Sequence, residues 1–254
     1  MSKTLFIYTL KAALRDKMVR VVSILFIIIG AMSSFLGGAA VFEAHSFTLI
    51  FAASSLRLTA VLGVILFVSF YIQRSFASKD IDFILSRPVS RETFIVSQSL
   101  AFVVISFIIT IGAFLVIYVL AGFKVNFGFL CWILGLFVEV AIMANLAMFF
   151  SMILSSTVAS FASTFGFYVL SRMTGAIFGT IDAEKNNMVI TAMEKMMEAI
   201  SVILPRFDLT IQSEWLLYGI EDNLENFYYN IVTGVLFLIF INIASIIDLK
   251  RKEF

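Results

Sequence analysis

From Ser97 to Leu120 the chain carries no charged side chain at all. Five further stretches are nearly as apolar: Val21–Val41, Ala52–Ile72, Phe129–Ile153, Val158–Thr180 and Tyr229–Ile247. A helix needs about 20 apolar residues to cross a bilayer, and each of these stretches is long enough. Their abundance raises the hydrophobic share to 61% and lowers the charged share to 14%. Soluble domains sit nearer about 45–50% and 25%, and a single core has no room for that excess. The reading is an all-α polytopic membrane protein, one transmembrane domain over residues 1–254 with six spanning helices.

Orientation follows from the Lys and Arg residues, which favour the cytoplasmic side. With both termini inside, twelve of the 18 basic residues are cytoplasmic and six are external or within helices. Residues 73–96 then form a cytoplasmic loop and 181–228 an external segment. Residues 1–20 read as an amphipathic helix on the inner leaflet. Phe6, Leu10, Ala13, Leu14 and Met18 form its apolar stripe, and Lys3, Lys11 and Arg15 lie off it. A basic flank that happens to be helical is the plainer alternative. Externally, Lys185–Leu204 carries Val189, Met193, Met196, Met197 and Ile200 on one helical face until Pro205 ends it. Helices lying on or dipping into the outer bilayer surface are expected there. Its methionines read as apolar filler rather than metal ligands.

Catalytic signatures are missing. No G-x-x-x-x-G-K-[ST], H-E-x-x-H or G-x-S-x-G occurs, and His45 is the one histidine. Cys131 is the one cysteine, so no intramolecular disulfide forms. With a net charge of +1 there is no bias toward nucleic acid. The expectation is a non-enzyme with no metal and no cofactor of its own.

Charges at bilayer depth are expensive and face protein or a water-filled path. Glu139 and Arg172 lie at similar separations from the turn near Ser155–Ser156, which places them at one depth in an antiparallel hairpin. They can pair, either as a cavity-lining element or as a lock on the hairpin. Arg57 can snorkel outward or compete for Glu139, and Asn145 and Asn242 are candidates for bonds between helices. Small residues recur at four-residue spacing as Gly30, Ser34, Gly38 and as Ser171, Gly175, Gly179. Such stripes allow close helix approach, within one subunit or between two.

The loop "KDIDFILSRPVSRETF" is compact, charged and bent at Pro88. Ser78 is a plausible N-cap for a short helix, and Ser90 for the next, with Glu92 and Thr93 in its first turn. The segment Leu85–Phe94, together with the overall layout of helices and basic ends, resembles ABC-2 type transporter permeases. The resemblance implies that Lys79, Asp80, Ile81, Asp82, Phe83, Ile84 and Leu85 form a coupling helix, with Arg87, Pro88 and Arg91 its rigid exit. It further implies a second permease subunit and a separate cytoplasmic ABC ATPase that holds the ATP and Mg. The cell inner membrane of a bacterium, contact with lipid, and export of an apolar or amphipathic substrate complete that expectation. A secondary transporter or channel, or a non-transporting assembly subunit, are the alternatives.

Overall fold

Three polar side chains set where helices begin. Asp16 takes an extended conformation and accepts from the Met18 N–H at 2.8 Å. Ser90 accepts from Thr93 N at 3.2 Å, and Asn126 from Phe129 N at 2.7 Å. Each satisfies a donor that the first helical turn leaves open. The Asp16 cap divides the helix expected over residues 1–20. A short helix α1 (Lys3–Arg15) ends there and α2 (Lys17–Ala39) begins.

The computed structural model describes residues 3–40, 43–78, 90–182, 205–220 and 224–251, with side chains described for residues 3–175 and 205–251 of these. The further helices are α3 (Ala44–Ala77), α4 (Arg91–Leu120), α5 (Phe127–Ile153), α6 (Thr157–Asp182), α7 (Phe207–Thr210), α8 (Trp215–Tyr218) and α9 (Leu224–Arg251). Every regular element among the described residues is helical. Five helices, α2, α3, α4, α5 and α9, are long and apolar enough to cross a membrane. The chain is thus a polytopic helical membrane protein. The stretch expected as a further span, 158–180, does form the long helix α6, but Ser, Thr and Arg172 dilute its apolar character.

Boundaries differ from the sequence reading where helix formers continue past the apolar run. Helix α3 starts at Ala44, eight residues ahead of the apolar run that begins at Ala52, so His45 lies in its first turn. At the other end α3 continues to Ala77. Ser78 is its C-cap, donating its backbone N–H to the Arg74 carbonyl, and does not stand as a free N-cap. Ser90 caps α4 as expected.

Helix α5 is the axis of the bundle. It is apolar on every side, which marks a helix enclosed by protein, and it touches α3, α4, α6 and α9. Trp132, Leu136, Met143, Ala144 and Ala147 are all solvent-free. Helix α2 lies outside this ring, against α3 and α4. Its buried face is Val22, Phe26, Gly30, Ser33 and Gly37, while Ile24, Ile27 and Phe35 point outward. Outward apolar faces of this kind suit acyl chains rather than water.

Two ends of the bundle can be told apart. The terminal end gathers α1, the C-terminus of α3, the start of α4, the α5–α6 turn and the end of α9. Chain direction places Ala44, Leu120 and Phe127 at the far end.

Candidate functional site

From the far end, residues 205–220 turn into the bundle instead of lying over it. Phe207, Ile211 and Trp215 recur every four residues and are all buried. Their backbone meets α5 at two glycines one heptad apart. A methyl group on Gly135 would lie 2.7 Å from the Thr210 carbonyl oxygen and 2.8 Å from Ile211 Cγ1. One on Gly128 would come within 3.0 Å of Gly219 Cα. Gly135 is about 12 Å along α5 from Phe127, at the helical rise of roughly 1.5 Å per residue. Thr210 and Ile211 therefore sit at that depth.

Irregular backbone at such depth needs protein partners for its carbonyls. Two arginines provide them. Arg172 on α6 donates to the Phe207 carbonyl and, at 3.3 Å, to that of Ile211. Arg57 on α3 reaches the same Ile211 carbonyl at 3.5 Å. The Ile211 carbonyl, just past the one-turn helix α7, is thus held between guanidinium groups from two long helices. Further ties are the Ser54–Ser213 hydroxyl pair at 3.2 Å, Asn126 Nδ2 donating to the Leu216 carbonyl at 3.2 Å, and the Arg206–Asp208 ion pair at 3.0 Å.

Glu139 lies one turn beyond Gly135 and is 0% exposed. Arg57, Arg172 and the Tyr168 hydroxyl act on its carboxylate, yet neither carboxylate oxygen completes a hydrogen bond. The structure therefore brings Glu139 and Arg172 into one cluster, as their spacing predicts, but not into direct contact. Ion pairs among the described residues include Arg206–Asp208 and Lys250–Glu92. Backbone carbonyls compete successfully for Arg172 because they are dry and otherwise unsatisfied. Asn145 is buried away from the cluster. Its Nδ2 donates to Ala141 O at 2.8 Å within its own helix, and Asn242 does the same to Leu238 O at 2.9 Å. Neither amide bridges two helices.

The small-residue stripes divide. Gly30 touches Val116 of α4, while Ser34 and Gly38 lie on the exposed face of α2. Ser171 is buried, and Gly175 lies against the Asp208 side chain, so that stripe receives the inserted segment. The surroundings of Gly179 fall outside the described residues. So do Lys79, Asp80, Ile81, Asp82, Phe83, Ile84, Leu85, Arg87 and Pro88, and the amphipathic stretch 185–204.

The terminal end carries its own polar ties. Thr9 donates to Gln98 Oε1 at 2.9 Å and accepts from the Tyr71 hydroxyl at 3.3 Å, docking α1 on α3 and α4. Gln73 Nε2 donates to the carbonyls of Ser151 and Leu154, fixing α3 to the α5–α6 turn. Arg91 donates to the carbonyls of Leu249 (2.7 Å) and Lys250 (3.2 Å), closing the C-terminus of α9. Arg91 is thus a cap, a role its place beside Pro88 does not disclose. Its partners lie 158 and 159 residues away. The carbonyl partners of Arg57 and Arg172 leave no side-chain signature either. The heptad spacing of Gly128 and Gly135 was the readable sign that backbone approaches α5.

No protein-family model, curated protein or solved structure matches this chain.

Proposed function

We propose that the chain is the membrane-spanning permease subunit of an ATP-driven transporter of the ABC-2 type. In this reading α6 is the sixth span, the termini are cytoplasmic and the membrane is a bacterial inner membrane. Two permease subunits pair, and a separate cytoplasmic ATPase supplies nucleotide chemistry through its own ATP and Mg. The substrate is apolar or amphipathic and moves outward.

Besides the resemblance over Leu85–Phe94, one observation carries the reading. The points where the chain leaves α3 and re-enters α4, Ser78 and Ser90, stand among the polar ties of the terminal end. A load applied to residues 79–89 reaches α3 and α4 directly. It passes to α1 through Thr9 and Gln98, to α9 through Arg91, and to the α5–α6 turn through Gln73. An ATPase pressing there would tilt most of the bundle at once. The cluster of Arg57, Glu139 and Arg172 holds the far half as a rigid counterpart.

Purification of the tagged protein in mild detergent tests this. A stoichiometric soluble partner with a P-loop is expected. Combined Phe83→Ala and Leu85→Ala substitution should remove that partner without lowering membrane insertion. A folded preparation that brings no ATPase would instead favour a secondary transporter or channel.

A further inference from the structure

At the terminal end, α1, the start of α2 and the end of α3 enclose a cleft of about 720 Å³. Three cations line it: Arg15, Lys17 and Arg74. All three are exposed, and among the described residues no hydrogen bond or ion pair engages their side chains. The one carboxylate in the cleft, Asp16, is occupied with the Met18 N–H as the α2 cap. The walls are apolar and aromatic, with Tyr8, Met18 and Phe70 contributing. Tyr8 and Phe70 are 59% and 50% exposed.

We infer that this cleft binds one anionic phospholipid, its phosphate on Arg15, Lys17 and Arg74 and its glycerol and upper acyl carbons along Tyr8, Met18 and Phe70. The cations stand where three elements converge, at the end of the helices where head groups lie. Just beyond them the outward faces of α1 and α2 present Ile7, Leu14, Val21 and Ile24 to the bilayer. A soluble anion would use the charges and leave the apolar walls open, whereas a lipid uses both. Basic residues at a membrane surface each attract anionic lipid. Here they are gathered in a shaped cleft by the α1–α2 break at Asp16. The inference rests on the chain being a membrane protein and not on the permease reading.

The test is native mass spectrometry of the full chain in detergent, titrated with phosphatidylglycerol or phosphatidylcholine. The wild-type protein should retain one phosphatidylglycerol in preference to phosphatidylcholine. Each cation should contribute about fivefold. Arg15→Gln with Arg74→Gln should then weaken retention on the order of twentyfold, while Lys124→Gln at the far end leaves it unchanged. Arg15→Lys with Arg74→Lys should keep it. Should the double Gln variant fail to fold, Arg74→Gln alone reads the single fivefold loss. Equal retention in wild type and Gln variants, or an equal loss in Lys124→Gln, would overturn the inference. So would displacement of the lipid by excess inorganic phosphate, which would mark a simple anion site.

Discussion

Arg172 shows how a charge largely buried in a helical bundle finds a partner that has no side chain. Its donors go to the carbonyls of Phe207 and Ile211, so exchanging Glu139 and Arg172 should not restore function or stability lost in either single variant. A direct pair would be restored by the exchange, and such a rescue would refute the carbonyl assignment. Arg172→Gln should cost about 2 kcal/mol, the range for a bond to a charged group, and loosen residues 205–220. In a Trp132→Phe background, the emission of Trp215 should shift to the red as its burial is lost. The glycines separate cleanly as well. Gly135→Val places carbon against a backbone carbonyl that has nowhere to go and should destabilise by about 1–3 kcal/mol. A Cβ on Gly38 meets nothing within 4 Å, so Gly38→Ala should not lower the melting temperature. The small-residue repeat treats Gly30, Ser34 and Gly38 alike because spacing alone cannot say which way a helix faces. Only the neighbours of α2 distinguish them.

At the level of elements, what could be read from sequence was what the local chain determines. Apolar runs mark the long helices, and Ser90 with Glu92 and Thr93 marks the start of α4. The Asp16 break was missed because the apolar stripe from Phe6 to Met18 runs straight across it, and a single cap outweighs that continuity. The ends of α3 are hidden for the opposite reason: hydropathy falls after Ile72 and before Ala52, yet nothing there stops a helix. The inward course of residues 205–220 was not legible, since its polar needs are met by Arg57 and Arg172 from distant parts of the chain. The C-terminus of α9 is equally non-local. Arg91→Gln should uncover the carbonyls of Leu249 and Lys250, costing about 1–2 kcal/mol. Faster amide exchange confined to the last turn of α9 would show it. Lys250→Ala, which removes a solvent-exposed pair with Glu92, should change nothing measurable.

For the whole molecule, the terminal-end ties predict a mechanical outcome. Joining Thr9→Cys and Gln98→Cys with a short thiol reagent, in a Cys131→Ser background, should pin α1 to α4. If the chain works as the proposed ATP-driven permease and α1 moves with its cycle, ATP turnover of the purified complex should stop while its assembly persists. Full turnover in the locked protein would remove α1 from the moving parts.

The inserted segment also dictates an order of events during synthesis. The Ile211 carbonyl follows Arg57 by 154 residues, roughly 8–30 s of translation at about 5–20 residues per second. Arg57 is therefore made long before the carbonyl that will hold it, whereas Arg172 precedes the same carbonyl by only 39 residues. An arginine near the bilayer centre costs about 2.5–3.5 kcal/mol to insert. Glu139 emerges after Arg57 and before Arg172. Fully buried and within the influence of both arginines, it is placed to act as interim counter-charge for Arg57 until Ile211 is made. A chain ending at residue 182 should then need Glu139 to insert stably, while the complete chain tolerates Glu139→Gln. Protease protection of the truncated and complete chains, each with Glu139→Gln, would check this: an equal loss in both, or none in either, would rule that role out.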